Sequence, residues 1–294
     1  MDTKDVANLI ENKINKDLEK IDSLMHSVEK RKPMQEIEDL LSRTKNKNRI
    51  KKYMKIVGVS DKYSLKFQFA AVNTMGDLIK YIHNPSELVM IDSVKRNGHS
   101  LRYIKNPTEK VQLAAVSNNG YVIEYIENPS ERVQLAAVED DGFSISFIKN
   151  PSEEVQITAV NQNGYALQFI ENPSEKVQLA AVMHNGKAIK YIQNPSINVQ
   201  IESVRHNGLA IDYIEHPSEN IQKIAVSHNG NAIRYIENPS EEVKLLAVKN
   251  NGHAIKYIEN PSEQVKKLAV RSKPQAIQWI DDPSKKVRDT AKRI

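Results

Sequence analysis

The chain has 294 residues, no cysteine, 39% hydrophobic and only 6% aromatic residues, and a formal net charge of +5. The absence of cysteine excludes disulfides and thiolate metal sites, and the low aromatic content calls for an interior of Val, Leu, Ile and Ala. The opening MDTKDVANLIENK lacks the apolar core of a secretory signal, and no run of about 18 apolar residues offers a membrane span, so the expectation is a soluble, cytoplasmic protein.

Residues 1–62 do not repeat. Ala7, Ile10, Ile14, Leu18, Ile21, Leu24, Met25 and Val28 form an apolar stripe at helical spacing, and Met34, Ile37, Leu40 and Leu41 form a second. Between 43 and 55 stand seven basic residues and no acid: Arg43, Lys45, Lys47, Arg49, Lys51, Lys52 and Lys55. Three readings stay open for 1–62: a helical cap over the array that follows, a coiled-coil or hairpin element forming a homodimer, and a basic helix that contacts nucleic acid.

From Tyr63 to the end the chain repeats every 22 residues, with Pro85, Pro107, Pro129 and their successors to Pro283 marking the beat. Such a period predicts a stack of small modules, each packed on its neighbours and unable to bury its apolar face alone. In one copy, Asn128-Pro129-Ser130-Glu131 reads as a helix start with Asn128 as N-cap and Pro129 at the first helical position. A short helix follows, apolar at Val133, Leu135, Ala136, Ala137 and Val138. Most copies then carry Asn-Gly, as at Asn163-Gly164 and Asn185-Gly186. Neither flank alternates with period two, so a hairpin is rejected; a helix end passing through a left-handed residue is expected instead. The next segment, such as Ala188-Ile189-Lys190-Tyr191-Ile192, fits an α-turn or a 3-10 stretch. The last helix, from Pro283, carries Asp289, Thr290 and Lys292 where inner copies are apolar, the mark of a capping helix. The fold class expected is therefore all-α: an α-solenoid, a superhelix of ten 22-residue two-helix repeats over 63–294, with a helical N-terminal segment and a C-terminal capping helix.

The unit P-S-E-x-V-Q-L-A-A-V-x-x-N-G-x-A-I-x-Y-I-x-N resembles short α-helical repeats. It is most similar to the leucine-rich-variant repeat, with its D/N-P-x-x-x-V-R-x-x-V-A beat, and more loosely to HEAT-like arrays. That resemblance implies a curved superhelix acting as a binding or scaffold protein. Gln stands where leucine-rich variants carry Arg, and with no cysteine cluster ahead of the array no redox role is implied.

Charge is concentrated at the two ends. Residues 1–62 and 284–294 each carry +4, which leaves 63–283 at −3 and argues against a long basic groove. His184, His206 and His228 share one repeat position. Stacked helices about 8–10 Å apart cannot bring three such residues to one ion, so an exposed column is expected and no metal site. A glutamine column (Gln68, Gln112, Gln134, Gln156, Gln178, Gln200, Gln222) is read as solvent-facing or laddered, and the aromatic column from Tyr81 to Trp279 as framework packing.

Positions flanking Asn-Gly vary between copies. They bring an aromatic set (Tyr121, Phe143, Tyr165), an acidic set (Glu139, Asp140, Asp141), Lys187 and the histidines to one edge. Aromatic anchors beside charges suit a protein partner. No Gly-x-Ser-x-Gly, phosphate-cradling glycine loop or His-Glu-x-x-His occurs. The expected function is thus a non-enzymatic scaffold, adaptor or inhibitor that binds a protein and needs no cofactor. The alternative is nucleic-acid binding through 43–55 and 285–293. The Lys-, Asn- and Ile-rich composition suits an AT-rich bacterial or phage genome.

Overall fold

The computed structural model describes residues 65–292, and the basic segment 43–55 and the helical stripes of 1–62 lie outside the described residues. The chain divides into two compact units, Met1–Asn118 and Asn119–Ile294. In the first, α1 (Leu65–Thr74), α2 (Glu87–Arg96) and α3 (Glu109–Val116) alternate with the 3-10 helices η1 (Gly76–Tyr81) and η2 (Gly98–Tyr103). The second runs η3 (Gly120–Tyr125), α4 (Glu131–Asp140), η4 (Gly142–Phe147), α5 (Glu153–Gln162), η5 (Gly164–Phe169), α6 (Glu175–His184), η6 (Gly186–Tyr191), α7 (Ile197–His206) and η7 (Gly208–Tyr213). It continues through α8 (Glu219–His228), η8 (Gly230–Tyr235), α9 (Glu241–Asn250), η9 (Gly252–Tyr257), α10 (Glu263–Ser272), η10 (Pro274–Trp279) and α11 (Lys285–Lys292). Ten α/3-10 pairs and a final helix make this an α-solenoid, with no strand among the described residues.

Each α-helix begins two residues later than the Asn-Pro signal suggests. Ser152, not Asn150, is the N-cap: it is extended at φ −61° and ψ 161°, and its Oγ accepts from the Val155 N–H at 3.4 Å. The same hydroxyl donates to a glutamate at the first helical position of the preceding copy, as Ser240 does to Glu219 at 2.7 Å. One serine thus satisfies a free helix N–H and links two repeats.

The left-handed residue is also displaced from its expected place. It is the residue before proline, with φ between 44° and 52° at Asn84, Asn106, Asn150, Asn172, Asn194, His216, Asn238, Asn260 and Asp282. Asn and Asp tolerate this region best among non-glycine residues. The Asn of Asn-Gly is extended instead; Asn163 has φ −150° and ψ 108°. Its side chain caps the following 3-10 helix by accepting from Tyr165 N–H at 3.0 Å.

The glycine serves close approach. A Cβ on Gly186 would lie 2.3 Å from the Ser203 carbonyl oxygen of the next copy, well inside contact distance. Ser203 Oγ returns a bond to the Gly186 carbonyl at 2.8 Å. Each 3-10 segment therefore seats its first turn on the last turn of the next α-helix.

Within each unit consecutive α-helices pack on one another and on the adjoining 3-10 helices. Val133, Ala137 and Val138 of α4 are fully buried, as are their equivalents in α5, α6, α9 and α10, and in α8 Ile221 replaces the first valine. The 3-10 helix contributes residues three apart, which eclipse at three residues per turn. Of these Ile211 and Ile214 are both buried, whereas in η6 Ile189 is buried and Ile192 partly so. The result is an aliphatic seam without aromatic filling. In α11 only Val287 is buried, while Asp289 and Lys292 face solvent, as a capping helix requires.

Candidate functional site

The 3-10 helices place two aromatic positions on one face: the residue after glycine and the last residue of the turn. Tyr121 stands edge-on to Phe147 of the next copy (centroids 6.0 Å), Phe143 to Phe169 (5.7 Å) and Tyr165 to Tyr191 (6.1 Å). The predicted trio Tyr121, Phe143 and Tyr165 is thus brought into one run by ring pairs with the next copy's terminal aromatic. Tyr121 is half-buried, and burial, with the Asp141 carboxylate second, holds its hydroxyl above the usual tyrosine range.

The aromatic column is more exposed than framework packing predicts. Phe147 and Phe169 are 42% and 43% exposed. A six-residue 3-10 helix turns its terminal ring to the rim of the module. The spacing of the rings in sequence carries this signal, but only the 3-10 geometry reveals which ring of each copy is outermost.

Elsewhere the protein covers its own rings. Lys80 stands over Tyr81, Arg102 over Tyr103, Lys190 over Tyr191, Arg234 over Tyr235 and Lys256 over Tyr257, between 4.4 and 5.0 Å from the centroids. In each case the cation is the residue immediately before the tyrosine. Lys190 also lies 5.1 Å from the Tyr165 centroid, and Arg234 donates to the Tyr235 hydroxyl. Lys256, then Arg234, lower the Tyr257 hydroxyl below its ordinary value by hydrogen bonding and charge. Beside Phe147 and Phe169 the equivalent residues are Ser146 and Gln168.

Of the remaining predicted residues, Asp140, Asp141, His184 and His228 bond into the framework. Asp140 ends α4, and its Oδ2 accepts from Gly120 N–H at 2.7 Å; Asp141 caps η4 through Phe143 N–H at 2.8 Å. Glu139 is exposed one residue earlier. His184 and His228 use Nδ1 to accept from Gly164 N–H (3.1 Å) and Gly208 N–H (3.2 Å). Asn118, Gln162 and Asn250 do the same for Gly98, Gly142 and Gly230. This position therefore supplies an acceptor to the neighbour's first 3-10 N–H, which sequence variation among Asn, Asp, Gln and His concealed. His206 is exposed at the end of α7, and Lys187 is half-buried with its N–H bonded to Asn185 Oδ1 at 3.1 Å.

The glutamines are tied down too. Gln134 Nε2 donates to the Pro129 carbonyl at 3.0 Å, and Gln156, Gln178, Gln200 and Gln222 repeat the bond at 2.9 Å. Among the described residues no group of three or more His, Cys, Asp or Glu could hold a metal ion. Among them, too, no helix is long and apolar enough to cross a membrane. Lys285, Lys286, Arg288 and Lys292 are exposed on α11.

Two troughs lie beside the loops that follow η6, η7 and η8. One trough, of ≈ 680 Å³, is lined by Lys190, Pro195, Gln200, Tyr213, Glu215 and His216, among others. A second, of ≈ 470 Å³, is lined by Pro217, Gln222, Tyr235 and Glu237 and shares Ile214, Glu215 and His216 with the first. The two adjoin through these shared residues in successive copies. No family model matches the chain, no curated protein matches it, and no solved structure matches it.

Proposed function

We propose that this chain is a non-enzymatic scaffold that binds a protein partner through the 3-10 face of its second unit. The observation that carries the reading is the pair of ring contacts Tyr121–Phe147 and Phe143–Phe169, with Phe147 and Phe169 exposed and preceded by Ser146 and Gln168 where five other copies place a covering cation. Contiguous exposed rings on a rigid support are the usual core of a protein interface. The backbone beneath them is held by the acceptors of the neighbouring helix, so little ordering is lost on binding. The likeness of the repeat to leucine-rich-variant and HEAT-like arrays supports the same role.

The test is affinity capture from a host lysate with the full chain and with the double variant Phe147→Ser, Phe169→Ser. Two anchor rings contribute about 2 kcal/mol each, so partners bound by the parent are expected to be lost from the variant. Partners retained unchanged overturn the reading. Binding of single- or double-stranded nucleic acid that falls steeply with salt and is indifferent to both substitutions would instead favour the basic segments 43–55 and 285–293 as the binding surface.

A further inference from the structure

We infer that the channel spanning residues 189–238 holds a basic polypeptide segment, with one Lys or Arg of that segment seated over Tyr213. This rests on the reading of the chain as a protein-binding scaffold and names the chemistry of what it takes.

The protein itself indicates the occupant. In five copies the tyrosine that ends the 3-10 helix is covered by a Lys or Arg immediately before it, at 4.4 to 5.0 Å from the centroid. At Tyr125 and Tyr213 that residue is an acid, Glu124 and Asp212; of these two rings Tyr213, 40% exposed, lines a trough. Two residues beyond the ring, Glu215 lines the trough with it, while Asp212 is exposed immediately before it. An aromatic face flanked by acids attracts a cation, and the cation is here replaced by a charge of the opposite sign. Lys190 lines the same channel; its ammonium stands over Tyr191 at 4.6 Å and Tyr165 at 5.1 Å, and the Tyr191 hydroxyl chiefly, with Tyr165 and Tyr213 more weakly, holds it above its ordinary value. Among the described residues, neither Asp212, Glu215 nor Glu237 forms an ion pair.

The channel's length selects a chain over a small cation. Glu215 belongs to both troughs and Glu237 to the second, one repeat further on. Neighbouring helices lie about 8–10 Å apart. A polyproline II segment advances about 9 Å in three residues and returns to the same face. Basic residues at positions i and i+3 of such a segment therefore reach Tyr213 with Glu215 and then Glu237. The walls are preformed, because Gln200 and Gln222 hold the Pro195 and Pro217 carbonyls at 2.9 Å.

The experiment is fluorescence anisotropy with the full chain and labelled twelve-residue peptides: (Arg-Pro-Pro)4, a scrambled peptide of the same composition, and (Glu-Pro-Pro)4, with unlabelled spermine as competitor. The arginine peptide of period three is expected to bind, more tightly than its scramble, with affinity falling as salt rises; the glutamate peptide is expected not to bind. Tyr213→Ala and the pair Glu215→Gln, Glu237→Gln should each weaken binding about tenfold. Asp212→Lys supplies the chain's own cation to the ring, as the other copies do, and should displace the peptide. Circular dichroism melting confirms that each variant is folded; should Tyr213→Ala fail to fold, Asp212→Lys decides. Unchanged affinity in Asp212→Lys, absence of peptide binding at low salt, or spermine binding as tightly through the same carboxylates overturns the inference. If it falls while Phe147→Ser, Phe169→Ser still abolishes partner capture, the scaffold reading stands alone.

Discussion

Gly230→Ala places a methyl group where the structure has no room for one. An ideal Cβ on Gly230 lies 2.4 Å from the Ala247 carbonyl oxygen and 3.0 Å from Asn251 Cβ, against an ordinary contact beginning at 3.4 Å. Relief requires α9 to move away from η8 by about 1 Å, in an interior packed at crystal density. Overpacking of this kind costs about 1–3 kcal/mol. The lost flexibility of the unfolded chain returns about 0.4–1 kcal/mol, since Gly230 lies outside the left-handed region and alanine can adopt its backbone. The net is a loss of up to about 2.6 kcal/mol, or up to about 10 °C in Tm for a unit of this size. Thermal melting followed by circular dichroism reads it directly. Gly230→Asn sharpens the test: a left-handed turn would tolerate Asn better than Ala, whereas a steric contact makes Asn the worse of the two. A rise in Tm for Gly230→Ala, or Asn better tolerated than Ala, refutes the close-approach account.

The Ser144 hydroxyl is fully buried without a hydrogen-bond partner, at a position filled by Ala166, Ala188 and Ala210 in later copies; Ser144→Ala is expected to raise stability by about 1 kcal/mol in chemical denaturation. His184→Asn keeps an acceptor for Gly164 N–H, as Asn250 does for Gly230, and should leave Tm unchanged, whereas His184→Lys, a donor only, should cost about 1–2 kcal/mol. The Ser240 hydroxyl first, and Lys223 second, hold the Glu219 carboxyl below its ordinary value of 4.5. A carboxyl depressed in the folded state contributes stability above its unfolded pKa and loses it as pH falls through the folded one. Melting temperatures of Glu219→Gln should therefore fall less steeply than the parent's below about pH 4.5, and parallel acid limbs would contradict the Ser240–Glu219 link. Ser174→Ala removes both the cap on Val177 N–H and the bond to Glu153, with an expected loss of about 1 kcal/mol.

By itself the sequence determined the modular plan. The 22-residue beat, the Val-x-x-x-Ala-Val triplet and the polar residues of the last helix are one-dimensional patterns, and burial between identical neighbours follows from them because no copy can hide its apolar side alone. Asn, Pro and Ser are all good starters, so the sequence leaves the cap open over three residues; a hydroxyl linked to the previous copy's glutamate selects Ser152 over Asn150. Glycine after Asn suggests freedom of φ, whereas here the carbonyl of the next copy demands the absence of a side chain. That demand exists only once two copies are stacked. The same holds for the candidate sites. Which ring is outermost, which tyrosine lacks its covering cation, and which histidine is occupied as an acceptor are relations between residues about 20 or more positions apart. They are set by the contact between modules, which a reading of one module cannot contain.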